Sequence, residues 1–178
     1  MAHLRRIGFW VALACAAACH RASAPPPAPA AVPAPEPASA VRAKTVTLFF
    51  IHAESGDPAP ALSTLNASAD PMVQIRDLVG QLLRGPRDSA LVSPLPQELT
   101  LKALYLLGST LVLDFGLPAD APALEGSRNE QAFVYAVTNT VCLNFSDIKN
   151  VRILINDTDE SPLLTHLSLK QPFTPQLQ

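Results

Sequence analysis

The sequence predicts a single α+β domain of order βαββαβ: a four-stranded sheet with two helices on one face, behind a compositionally biased leader. Three observations predict it. Runs rich in β-branched and aromatic residues at 44–51, 99–115 and 150–155 read as strands. Two stretches between them carry apolar residues at helical spacing, with start and stop residues at their ends. The prolines concentrate between Pro25 and Pro37, which separates a leader from an ordinary globular remainder. At 178 residues the chain has room for one modest domain plus appendages. A net charge of -2, with no basic cluster beyond the amino terminus, offers no electrostatic case for nucleic acid.

The leader opens with His3, Arg5 and Arg6, and Ile7 to Ala18 is apolar and uncharged. About twelve residues cannot span a hydrocarbon core, which takes roughly twenty in a helix. They suit the apolar region of a secretory signal. Ala22-Ser23-Ala24 offers a small-x-small cleavage site, but Pro25 follows it, and a locked ring without an N–H is a poor residue just after a scissile bond. Ala16-Ala17-Ala18-Cys19 instead resembles a bacterial lipobox, whose cysteine thiol receives a diacylglyceryl group. Ala12-Leu13-Ala14-Cys15 is the alternative, with a shorter apolar run ahead of it. Neither has a leucine three positions before the cysteine. Cys19 is the favoured lipidation site, so the signal covers 1–18 and a Pro/Ala-rich tether covers 19–43. His20, not aspartate, follows the cysteine, which permits an outer-membrane as well as a cell-membrane anchor. Either places the domain on the extracytoplasmic side, with membrane lipid as its first partner.

Alternating proline and alanine disfavours helix and has too little bulk for a core. Such a spacer extends about 3.1 Å per residue, so it reaches roughly 50–60 Å. With Cys15 removed and Cys19 acylated, Cys142 is the sole remaining thiol and no internal disulfide forms.

The globular part runs from 44 to 178. Lys44–Ile51 is apolar on both faces and reads as an interior strand. A long loop with Gly56, Pro58 and Pro60 as breakers is expected next. Asp70 suits an N-cap, Pro71 the first turn and Gly85-Pro86 the exit of a helix whose inner face is Ile75, Leu78, Val79 and Leu82. Leu99 to Phe115 divides into two strands at Gly108-Ser109, a dipeptide suited to a tight hairpin. A second helix begins at Ser127, with Glu130 completing a capping box and Phe133, Ala136, Val137, Thr140 and Val141 forming the buried stripe. Val151, Ile153 and Ile155 face one way on a last strand. Tyr105 and Tyr135 fall in core-like patterns.

These pieces, in this order, resemble the GerMN domain of spore germination, sporulation and envelope lipoproteins. The resemblance is carried by "VTLFFI", "LVGQLLRGP", "LVSPLP", "LYLLGSTLVLDFG", "EQAFVYAVTNTVCLNFSDIKNVRILIND" and "LLTHLSLKQPF", spanning about Lys44 to Phe173. Thr165 stands where the family usually has glycine before its histidine. The resemblance implies a non-catalytic extracytoplasmic accessory domain, similar to ring-building modules of secretion-like complexes, and draws attention to His166 and Phe173 as binding candidates. The plainer role for them is structural, His166 bonding a neighbouring loop and Phe173 packing the tail.

Convergent chemistry is otherwise sparse. His52 and His166 have no i, i+4 partner, and no nucleophile elbow, phosphate loop or Cys-x-x-Cys occurs. Ser93 reads as a turn residue and Asp114 as an acceptor for backbone donors at a strand end. Asp157, Asp159 and Glu160 lack the glycine and distal glutamate of an EF-type calcium loop and read as a solvated turn. The sequence thus names no catalytic residue, cofactor or metal. Its expected role is a lipid-anchored scaffold or accessory that binds an envelope protein or itself, in envelope assembly, sporulation or germination. The alternative is a peptidoglycan or carbohydrate binder.

Overall fold

A computed structural model describes residues 43–176. Both cysteines proposed for lipidation and nearly all of the tether lie outside the described residues.

The element order is β1 (Ala43–His52), β2 (Pro58–Asn66), α1 (Pro71–Leu83), β3 (Leu91–Val92), β4 (Thr100–Leu107), β5 (Thr110–Gly116), α2 (Ser127–Asn144) and β6 (Asn150–Ile155). The expected four-stranded sheet is not formed. The strands divide into two three-stranded sheets, β2-β1-β3 and β4-β5-β6. The segment expected to be a loop supplies the extra strand β2, which pairs antiparallel with β1 from Pro58 opposite Ile51 to Asn66 opposite Ala43. Its prolines are tolerated because β2 is an edge. The N–H groups of Thr47 and Phe49 point away from β2, so the backbone nitrogens of the opposite residues, Leu62 and Pro60, also face outward, where the N–H that proline lacks is not needed.

Asp70 caps α1, accepting from the Met72 N–H at 2.8 Å, and Ile75, Leu78, Val79 and Leu82 are buried as their spacing predicts. The β4–β5 hairpin turns at Gly108-Ser109, with Gly108 at φ +61°. Glycine tolerates that left-handed angle at the first central position of a two-residue turn. Strand β5 is buried on both faces from Leu111 to Phe115 because it is central: β4 is antiparallel on one side and β6 parallel on the other. A parallel neighbour requires a crossover, and α2 is that crossover.

The helices pack on each other and bridge the sheets, α2 against β1 and β6, α1 against β4, β2 and β1. One continuous core results, with the Phe115 and Phe133 rings edge to face at 6.5 Å between centroids. Packed on several sides, α2 buries more than its expected stripe, including Glu130, Val134, Thr138, Asn139 and Cys142. Two further expectations fail. The capping box is absent: the N-cap is Gly126, without a side-chain bond, and Glu130 turns elsewhere. Tyr105 is not in the core but 57% exposed.

Candidate functional site

The polar interior is organised around α2. Glu130, fully buried in its first turn, accepts from three successive backbone N–H groups: Thr165 at 2.7 Å, His166 at 2.9 Å and Leu167 at 2.7 Å. The Thr165 hydroxyl lies 3.1 Å from the same carboxylate and His166 Nδ1 2.9 Å. An ionised carboxylate only accepts, so the Nδ1 proton lies toward Glu130. Burial by itself raises the Glu130 pKa. The bonds from the His166 ring and from the Thr165, His166 and Leu167 N–H groups outweigh it and hold the value at about 2. The site is therefore a nest for a buried anion, filled by the protein's own side chain. His166 is thus fixed by its ring and its backbone while its side chain stays 56% exposed.

Phe173 is half-buried against the core and shares no hydrogen bond with His166 among the described residues. It pairs with Val151 through two backbone bonds of 2.8 and 2.9 Å, covering the start of the β6 edge.

Three asparagines extend the pattern. Each grips one residue's backbone with both ends of its carboxamide, accepting from the N–H and donating to the C=O. Asn144 holds Thr47 (3.0 and 2.7 Å), Asn139 holds Gln176 (2.9 and 2.8 Å) and Asn156 holds Leu117 (3.1 and 2.8 Å). Thr140 Oγ1 accepts from the Phe49 N–H beside the first of these. The spacing Thr140–Asn144 is one helical turn, so both side chains meet the open edge of β1. Sequence reasoning assigned none of these asparagines a role. For Asn139 and Asn144 the detectable signal was polar residues within an apolar helix stripe, whereas Asn156 lies in the turn after β6.

The remaining sequence candidates hold turns and strand ends, and Asp114 and Asp157 share Lys102. Ser93 Oγ accepts from the Leu95 N–H at 3.1 Å and forms a turn. Asp114 accepts from the Asp157 N–H at 3.0 Å, as a strand-end carboxylate should. The acidic turn is neutralised piecewise: Asp157 by Lys102 at 2.6 Å, Asp159 by Arg152 at 2.8 Å and Glu160 by Lys170 at 2.8 Å. Among the described residues no group of three His, Cys, Asp or Glu side chains could hold a metal ion. Burial pushes the Cys142 thiol up to about 11, against a smaller opposing pull from Lys149. A groove of about 740 Å³ between β2 and the α1 exit is lined by Leu48, Phe50, Leu62, Arg84 and Arg87 among others, and includes neither His166 nor Phe173.

This is the architecture of a mixed α+β domain whose buried polar groups hold its own backbone. A family profile described as Germane, sporulation and spore germination, matches residues 47–161, more than half the chain. The chain belongs to that family. Among solved structures it is similar to a Clostridium perfringens protein provisionally described as a lipoprotein, at TM-score 0.52 and 17% identity, covering 74% of this chain and 87% of that one. It is also similar to the tandem GerMN domains of the sporulation protein GerM from Bacillus subtilis, at TM-score 0.55 and 13% identity. That match covers 81% of this chain and 50% of the other, so this chain spans half of the tandem structure. No curated protein sequence matches it. Among the described residues no helix is long and apolar enough to cross a membrane.

Proposed function

We propose that this chain is a lipid-anchored bacterial envelope protein. Its GerMN-like domain binds another protein non-catalytically, as a scaffold or accessory factor in envelope assembly or a sporulation- or germination-type process. The observation that carries this reading is the use of the buried polar groups. Glu130, Asn139, Asn144 and Asn156 are committed to backbone atoms, which suits a rigid platform more than a reacting centre. Cys19 is the proposed acyl acceptor, with Cys15 as the alternative, and the tether carries the platform away from the bilayer. Membrane fractionation tests the anchor: Cys19→Ser, or Cys15→Ser if that is the site, releases the protein into the soluble fraction. Photo-crosslinking from the domain surface in intact cells tests the scaffold and recovers a defined envelope protein. A double variant that stays membrane-bound removes the anchor; failure to recover any protein removes the scaffold.

Tyr105 supports a second reading. An exposed aromatic is what a peptidoglycan or carbohydrate site requires, and this one is 57% exposed. Co-sedimentation with purified sacculi, lost on Tyr105→Ala, favours that reading; no co-sedimentation excludes it.

A further inference from the structure

Nearly every strand edge in this domain is closed by an identifiable device. Along β1, beyond the reach of β3, Asn144 takes both backbone groups of Thr47 and Thr140 takes the Phe49 N–H. Along β2, Pro58 and Pro60 have no N–H to offer, and the Thr64 C=O accepts from Gln81 Nε2 at 2.8 Å. Strand β6 is covered at Val151 by Phe173 and at Ile155 by Thr158. β3 is only two residues long. Closing edges this way prevents indiscriminate pairing.

Strand β4 is the exception. Its two-residue turn makes Leu107 and Thr110 a hydrogen-bonded pair, and alternation then makes Tyr105–Val112 another. Leu104 and Leu106 therefore direct their N–H and C=O groups away from β5. Among the described residues no hydrogen bond from outside the β4–β5 ladder reaches either. The same stretch is apolar and exposed on both faces: Tyr105 57%, Leu106 45% and Leu107 66%. Lys102, the charge nearest this edge, is engaged by Asp157 at 2.6 Å and Asp114 at 3.7 Å.

We propose that β4 is a pairing edge for a second copy of this chain, joined antiparallel so that two three-stranded sheets merge into one of six strands. The inference deepens the scaffold reading by naming a partner, but it rests on the β4 geometry. An uncharged edge selects an uncharged extended segment, and β4 is one. A two-fold axis at Tyr105 places Leu104 opposite Leu106 of the second copy, so their outward groups exchange two hydrogen bonds at each pair. It sets Tyr105 opposite Tyr105, and Lys102 opposite Gly108 rather than opposite another lysine, so no like charges face each other.

The register is testable in cells producing the full-length chain. Tyr105 then sits in a non-hydrogen-bonded pair with Cα atoms about 4.5 Å apart, within disulfide range. Under a mild oxidant Tyr105→Cys gives a disulfide-linked species of twice the monomer mass, at least ten times more than Leu62→Cys, which is 79% exposed on the proline-interrupted edge of β2. The unsubstituted chain, whose remaining thiol is the buried Cys142, supplies the background. Adding Leu106→Lys, which sets a charge on the apolar edge without removing a β4–β5 bond, lowers the yield to that background. Equal crosslinking at 105 and 62, or none at 105, overturns the proposal. A position-105 adduct of another mass also overturns it, while leaving the scaffold reading in place with a different partner.

Discussion

Asn144 binds Thr47 as a neighbouring strand would, taking its N–H at 3.0 Å and meeting its C=O at 2.7 Å, although the two residues are 97 positions apart. A helix side chain thus completes the edge of a sheet. Lys44 tightens the joint: its ammonium donates to the Asn144 C=O at 2.9 Å and lies 4.7 Å from the centroid of the Phe145 ring.

Asn144→Ala removes both bonds and leaves the Thr47 backbone unpaired at a half-buried edge. Urea unfolding should show a loss of about 2 kcal/mol with little change in slope. Asn144→Asp keeps the acceptor but turns its second oxygen on the Thr47 C=O, so it should not restore stability.

Glu130 makes stability acid-sensitive. Its folded pKa of about 2 lies below the usual 4.5, so its contribution is complete above pH 4.5 and is lost as pH falls toward 2. The shift corresponds to roughly 3 kcal/mol at most. Denaturant unfolding between pH 7 and pH 2 should show this loss in the native domain and a flatter acid limb in Glu130→Gln. That variant should also be less stable at pH 7, because an amide places an NH₂ among N–H donors.

Asn139 and the tail form one unit. Asn139→Ala, or deletion of 176–178, should each cost about 1–2 kcal/mol. Combining them should cost no more than the larger alone, because both remove the same two bonds to Gln176. Additive losses would mean that the tail is held elsewhere.

Thr138 is fully buried, and its hydroxyl has no hydrogen-bond partner among the described residues. Thr138→Val conserves shape and removes the unpaired group, so the melting temperature should hold or rise, by up to about 1 kcal/mol in stability. A marked loss would reveal an acceptor or a water for that hydroxyl.

The α1 face, the Gly108-Ser109 turn and the β6 alternation were legible because each depends on residues a few positions apart. Chain-local rules misread β2 and Glu130. Pro58 and Pro60 look like strand breakers until β1 places them on an outer edge, where a missing N–H is harmless. Ser127 and Glu130 have capping-box spacing, yet the carboxylate finds three N–H donors at 165–167 that outbid one cap bond. By itself the sequence determined the helices, the β4–β5 hairpin and β6, and the residues that resemble GerMN. Only the tertiary structure decided how the strands divide between two sheets, which edges are closed, and what Glu130, His166 and the three asparagines hold. Propensity and periodicity act over a few residues of chain. Hydrogen-bond satisfaction in a buried interior is settled between groups that only folding brings together.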